Sequence, residues 1–276
     1  MTGFSIDWLD LRESADLQAR DKSLIKLAVR WLENISSPDQ LPLILDLGSG
    51  TGSTVRSFDR VLDAESLSAH WRLIDNDPSL LSEAKRRYET SNRIETCLAD
   101  LSNIQEISFQ NVNLVTTSAL LDLVSANFIR ELAQTVKAES HETAIALYSA
   151  LNYDGTAKWN PQHPLDEKML SIFNKDQLRD KGFGPALGPG ASECFKDEFK
   201  AMGFTIMSAN SPWKLGPNDH ELTTSLIDGF AEVAIQRGEC SNSEIENWRS
   251  YRKNELSKGS CQIGHTDSVA LPQKKI

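Results

Sequence analysis

The chain has 276 residues, an ordinary 39% of hydrophobic residues and a formal net charge of −10. That length suits one large domain with a sizeable core, and the acidic balance repels a polyanion, so no nucleic-acid partner is expected. The four cysteines are widely spaced with no C-x-x-C pair, no apolar run nears the ~20 residues of a membrane helix, and the amino terminus lacks a signal-peptide pattern; the expectation is a cytoplasmic protein with free thiols, no membrane partner and no metal site.

Residues 16 to 34 predict an amphipathic helix, because Leu17, Leu24, Leu27, Ala28, Trp31 and Leu32 recur near helical spacing, and Ser36-Ser37-Pro38 stops it. Ahead of it, Trp8 to Glu13 read as a short segment across the carboxyl edge of a sheet. From Leu43 to about Ala150 strands and helices alternate, which argues a parallel sheet with helices on both faces. The apolar run from Leu43 is a buried strand with Asp46 at its acidic tip, and Gly48-Ser49-Gly50-Thr51-Gly52 is a tight turn feeding a helix. His70 to Ile74 form the second strand, capped by Asp75; Asp77, ahead of Pro78, is the helix cap, and Lys85-Arg86-Arg87 the solvated end of that helix. Ile94 to Ala99 are a third strand ending in Asp100, and Val112 to Thr117 the fourth, followed by a helix near Ser125 to Lys137. Thr143 to Ala150 make the fifth.

The rhythm then breaks. Tyr153-Asp154-Gly155 reads as a turn, Pro161 and Pro164 punctuate the next stretch, Leu165 to Phe173 suggest a helix, and Gly182 to Gly190 a loop. This region is read as an insertion over the active site. A helix through Phe195, Phe199 and Met202 is closed by Gly203, and Phe204 to Ala209 form a sixth strand. Helices at 220–237 and 243–257 follow, the second opened by a capping box of Ser241 and Glu244. Gln262 to Leu271 make a final strand beside the sixth. The expected fold class is α/β, a Rossmann-like doubly wound, mostly parallel seven-stranded sheet with the last strand antiparallel and helices on both faces. The expected organisation is a single domain over 1–276: a helical cap at 1–40, a cofactor-binding core at 41–150, an inserted lid at 151–200 and a carboxyl-terminal part at 201–276.

Alternating glycines let backbone take positive φ and let a ligand approach closely, so a nucleotide-like cofactor is the usual occupant of such a turn. A dinucleotide fold spells its turn G-x-G-x-x-G. Here the third glycine comes one residue early, Ser53 stands where that motif wants glycine, and Asp46 is foreign to it. Asp75, at the end of the second strand, can accept hydrogen bonds from both ribose hydroxyls, and Asp100, at the end of the third, from an adenine amine.

On these residues the chain resembles the class I S-adenosylmethionine-dependent methyltransferases. Asp46 to Gly52 match that family's first motif, Asp75-Asn76-Asp77-Pro78 its second, Ala99-Asp100-Leu101 its adenine-contacting motif, and Asn113 to Leu121 its fourth strand and the loop lining the methyl-transfer site. The remainder resembles a bacterial subgroup through Asp180-Lys181-Gly182-Phe183-Gly184-Pro185 and Ser211-Pro212-Trp213, a likeness that carries no chemistry with it. The resemblance implies S-adenosyl-L-methionine as cofactor, S-adenosyl-L-homocysteine as product, and Asp46, Gly48, Ser49, Gly50, Gly52, Asp75, Asn76, Asp100, Leu101 and Ser118 as cofactor-binding residues. Arg12 would reach the cofactor's carboxylate; its rival role is an ion pair with Glu13 or Asp16.

Methyl transfer needs alignment and exclusion of water, with a general base when the acceptor is a hydroxyl. Asp122 follows the fourth strand and is the candidate base or orienting group, against a plain helix-terminal acid. Tyr153, His163 and Asp166 in the lid could meet the substrate, and Trp159 and Trp213 could line its pocket, although buried aromatics more often pack a core; His265 and Asp267 read as structural. No Asn/Asp-Pro-Pro-aromatic turn and no Pro-Cys pair is present, which argues against methylation of nucleic-acid bases. The expected acceptor is therefore a small metabolite, methylated at O or N by a monomer or homodimer. The alternatives are a protein that holds the cofactor without turnover and a methyltransferase acting on RNA or protein.

Overall fold

The computed structural model describes residues 4–37, 40–140 and 144–273. Among these, eight strands form one sheet: β1 (Leu43–Leu47), β2 (His70–Asp75), β3 (Ile94–Leu98), β4 (Val112–Ser118), β5 (Ala146–Asn160), β6 (Phe204–Asn210), β7 (Trp213–Leu215) and β8 (Ser260–Pro272). The order is β3-β2-β1-β4-β5-β8-β6, with the short β7 paired to β8. Strands β1 to β5 pair parallel, and β8 enters antiparallel between β5 and β6. The expected seven strands are present and β7 is the addition. Pro38 and Thr143, the expected helix stop and strand start, lie outside the described residues.

The central strands read as continuous apolar runs because both their faces are covered. On one face α5 (Ala126–Glu139) and α7 (Ala191–Ala201) set Phe128, Leu132, Phe195 and Phe199 against Leu45, Leu47 and Val115. On the other, α2 (Lys22–Ile35), α3 (Ser53–Ala64) and α4 (Pro78–Arg87) set Leu32, Phe58 and Ala84 against Ile44, Trp71 and Leu73. A third cluster fastens α6 (Asp166–Gln177), α8 (His220–Arg237) and α9 (Asn242–Asn254) to the far ends of β5, β7 and β8 through Trp159, Trp213, Phe230 and Trp248. Trp159 and Trp213 are core residues.

Two local expectations change. The single helix over 16–34 is two helices, α1 (Ile6–Ala19) and α2, because Asp21 leaves the helix and accepts from the N–H groups of Ser23 and Leu24, both at 2.9 Å. An Asp side chain that bonds the backbone two or three residues on ends one helix and starts the next. Trp8 to Glu13 lie within α1. Tyr153-Asp154-Gly155 is not a turn either. β5 continues through it to Asn160, and two register shifts against β8, at Ser149/Asn152 and Tyr153/Ala157, take up the irregularity.

Candidate active site

β1 ends against the glycine turn. Gly48, Gly50 and Gly52 have φ of +68°, +53° and +83°. Gly52 is demanded twice over, since a Cβ there would also lie 2.8 Å from Tyr88 Cε2. The N–H groups of Gly48 and Ser49 both donate to the carbonyl of Ile74 at 2.9 Å, tying the turn to the end of β2. There Asp75 accepts from Gly50 N–H at 2.8 Å and Asp77 N–H at 3.0 Å. Burial pushes the Asp75 carboxyl above the ordinary range, against those hydrogen bonds. Asp77 caps α4 by accepting from Ser79 and Leu80 N–H, as its place before Pro78 suggests.

A cavity of about 820 Å³ opens above the turn, at the carboxyl ends of the strands and beside the point where the order reverses between β1 and β4. It is lined by the turn, by Asp75 and Asn76, by Leu101, and by Ser118 and Leu120. It is also lined by α1, through Leu9, Arg12 and Asp16, with Leu9 close over Gly50, and by the loop carrying Arg179, Asp180, Lys181 and Phe183. A second recess of about 600 Å³ lies at the opposite end of the strands, by His70 and Arg93, and holds none of these residues.

Beside the glycine turn several buried polar atoms have no partner among the described residues: Asp46 Oδ2, Ser49 Oγ, Ser53 Oγ, and Nε and Nη1 of Arg20. Ser49 and Ser53 line the cavity. Asp46 accepts from Thr116 Oγ1 at 2.6 Å on its other oxygen, and burial pushes its carboxyl up to about 7, opposed by Thr116 and by the charge of Arg20. Arg20 donates from Nη2 to Ser118 Oγ at 2.8 Å. Buried polar groups are normally satisfied. Asp46 and Arg20 are themselves buried and outside the cavity lining, which Arg20 reaches through Ser118.

Arg12 faces the cavity but is taken by Asp16, which accepts from Nε at 2.8 Å and from Nη2 at 3.2 Å. Glu13, its other expected rival partner, pairs with Arg56 instead. Leu101 is buried against the cavity, whereas Asp100 is exposed, outside the lining, and accepts from Ser102 N–H at 2.9 Å. That local turn satisfies the carboxylate and holds it away from the cavity. Asp122 is buried outside the cavity lining, between the lining residues Leu120 and Leu123, with Oδ1 unpartnered; burial pushes its carboxyl up to about 6, opposed by the charges of Arg12 and Lys181. Tyr153 donates to Asn174 Oδ1 at 2.8 Å, and its ring packs edge-on against Phe173 and His265. Burial holds His265 neutral, its pKa lowered to about 3, and leaves Nδ1 unpartnered.

His163, a candidate read from sequence, stands past the end of β5, its N–H donating to Asp166 at 2.8 Å and its Nδ1 accepting from Leu165 N–H at 3.2 Å, with its ring on Tyr251. It opens α6 and lies outside the cavity lining. Asp166 is likewise committed, to Arg252 and to Trp248 Nε1. Arg20 and Lys181 were missed by sequence reading. For Arg20 the available signal was its place directly before the capping Asp21. Among the described residues no group of three or more His, Cys, Asp or Glu side chains is placed to hold a metal ion, and no helix is long and apolar enough to cross a membrane.

Residues 44–139 match the family model described as a methyltransferase domain. No curated protein matches the chain in sequence. Among solved structures, the YcgJ protein of Bacillus subtilis is 11% identical with a TM-score of 0.50, over 89% of this chain and 98% of that one, a likeness of fold. The cyclopropane synthase MmaA2 of Mycobacterium tuberculosis is 13% identical with a TM-score of 0.46, over 97% and 94% of the two chains. The geranyl diphosphate C-methyltransferase of Streptomyces coelicolor, solved with Mg2+, geranyl diphosphate and S-adenosyl-L-homocysteine, is 11% identical with a TM-score of 0.47, over 91% and 77%.

Proposed function

We propose that this chain, residues 44–139 of which match a methyltransferase domain, is a class I S-adenosylmethionine-dependent methyltransferase, that its methyl acceptor is a small molecule and that the acceptor atom is an oxygen or nitrogen. When bound, S-adenosyl-L-methionine supplies a methyl group on a sulfonium, open to in-line displacement. The rest of the chemistry is alignment, desolvation and the fate of one proton.

Asp75 holds the ribose hydroxyls, fixed for that task by the N–H groups of Gly50 and Asp77. Asn76 and Leu101 wall the nucleoside end. Asp46, Ser49 and Arg20 take the amino-acid end, where their unpartnered atoms gather, and Ser118 orients Arg20. Asp122 follows β4 and serves as orienting group or proton acceptor; a carboxyl raised to about 6 by burial is still largely ionised at neutral pH and is a stronger base than an ordinary one. α1 and the 179–183 loop both wall the cavity. We read the whole chain as one domain, with the segment from Pro161 to Gly190 as its lid. A cavity of about 820 Å³ enclosed in this way suits a cofactor with a compact acceptor, and the net charge of −10 disfavours RNA.

The observation that carries this reading is Asp75, pinned to the glycine turn at 2.8 Å and facing the cavity. Its test is calorimetric titration with S-adenosyl-L-homocysteine. The expected result is micromolar binding to the wild type that weakens at least about tenfold, or ~1.4 kcal/mol, in Asp75→Ala. Absence of binding to the wild type would overturn the reading and return the glycine turn to the dinucleotides.

A further inference from the structure

The motif Asp180-Lys181-Gly182-Phe183-Gly184-Pro185 stood apart from the chemistry read from sequence. The structure brings it to the cavity that the glycine turn also lines. The loop is held in shape. Asp180 Oδ1 accepts from Gly182 N–H at 2.7 Å and Gly184 N–H at 3.1 Å, and both glycines have positive φ. Just beyond, the N–H groups of Leu187 and Gly188 donate to the carbonyls of Val124 and Asp122, each at 2.9 Å, fastening the segment to the loop between β4 and α5. Phe183 packs edge-on against Phe128 at 5.4 Å. Within this run Lys181 and Phe183 are half-buried and, with the more exposed Asp180, line the cavity.

Lys181 is half-buried, and among the described residues its hydrogen-bond partner is the neutral Gln177 Oε1, at 3.1 Å. Asp122 and Asp176 are near enough for their charges to act on it, yet neither forms an ion pair with it within 4.0 Å. The two other cations that line the cavity are paired, Arg179 with Asp176 at 3.2 Å and Arg12 with Asp16. Lys181 is thus an ammonium facing the cavity without a carboxylate in contact. Leu9, Leu123 and Phe183 line the same cavity with apolar surface. A charge withdrawn from water needs a counter-charge.

We propose that the methyl acceptor carries an acidic group, carboxylate or phosphate, on an apolar body, and that Lys181 is the residue that anchors it. This deepens the methyltransferase reading and rests on it. Acceptor recognition is then divided: Lys181 fixes the acid, the apolar wall fixes the body, and the atom to be methylated is directed toward Asp122 and the cofactor.

The test uses the full chain saturated with S-adenosyl-L-homocysteine and three probes: benzoate, phenyl phosphate and the neutral benzamide. One of the two anions should bind the wild type at least tenfold more tightly than benzamide; which one does so identifies the acid. That preference should vanish in Lys181→Ala and survive within a few-fold in Lys181→Arg, with affinity for S-adenosyl-L-homocysteine and thermal midpoint unchanged in both. Equal binding of anions and benzamide to the wild type, or an anion preference that persists in Lys181→Ala, overturns the proposal. So does a tenfold loss of S-adenosyl-L-homocysteine affinity in Lys181→Ala, which would assign the ammonium to the cofactor. Failure of the wild type to bind S-adenosyl-L-homocysteine at all is a different outcome, since it removes the methyltransferase reading beneath the proposal.

Discussion

At Asp46 the chain places a carboxyl where 1% of the residue meets solvent and leaves Oδ2 without a partner. Burial raises its pKa from an ordinary 3.8 to about 7. A carboxyl raised in the folded state favours folding fully below its unfolded pKa, and that contribution is lost as pH rises through the folded value. The protein without cofactor should therefore lose stability between pH 4 and pH 8, with Asp122 acting in the same sense up to about 6. In Asp46→Asn the fall in thermal midpoint over that range should be shallower, and, under the proposed placement of the cofactor's ammonium at Asp46, saturation of the wild type with S-adenosyl-L-homocysteine should also reduce it. A pH profile in Asp46→Asn identical to the wild type would show that this carboxyl is not raised. Residues such as Asp46 and Asp75 are legible in sequence because each ends an apolar run. Arg20 is not, because its position depends on a break between two helices and on Ser118, 98 residues away.

α1 shows what periodicity cannot see. Arg12 and Asp16 are buried on the same side, facing the cavity and Trp213, so the helix covers the site with polar residues as well as with Leu9. A pattern search for an apolar stripe passes over such a helix and merges its end with α2. The same limit hid the length of β5, whose register shifts resemble a turn until the 13-residue β8 is there to pair with it. α1 is fastened at its outer side by Glu13 to Arg56 and by Asp10 to Arg87, the latter at 2.8 Å. Partly exposed ion pairs contribute little to global stability, about 0–1 kcal/mol each, but these two hold the helix whose Leu9 sits over Gly50. Glu13→Gln should therefore raise the dissociation rate of S-adenosyl-L-homocysteine several-fold while moving the thermal midpoint little. Stopped-flow displacement reads the first and a thermal melt the second. An unchanged dissociation rate would mean that α1 does not limit release.

Across the whole molecule the doubly wound half was legible from its alternating strands and helices, and the carboxyl-terminal half less so, because its order depends on one long-range hub. Asp267, on β8, has no solvent exposure. It accepts from Leu151 N–H on β5 at 2.8 Å, from Asp21 N–H at the start of α2 at 2.9 Å, from Tyr148 Oη at 3.2 Å, and from Ser211 Oγ between β6 and β7. Leu151 has a φ of +56°, strained for a leucine, and its N–H bond to Asp267 helps hold it there. One carboxylate thus joins the bulge of β5, the helix break that positions Arg20, and the crossing from β6 to β7. Removing it strands several buried donors at once, each costing roughly 1–3 kcal/mol. Asp267→Ala should lower the free energy of unfolding in urea by on the order of 3–5 kcal/mol. Asp267→Asn keeps one acceptor oxygen and turns its amide toward remaining donors, so its loss should be smaller but still measurable. Where either variant stays folded, S-adenosyl-L-homocysteine affinity should fall with stability, because Arg20 loses its register when Asp21 is released. A change below 1 kcal/mol in Asp267→Ala would show that the strand order stands without this hub and that packing around Trp159, Trp213 and Trp248 holds the carboxyl-terminal half alone.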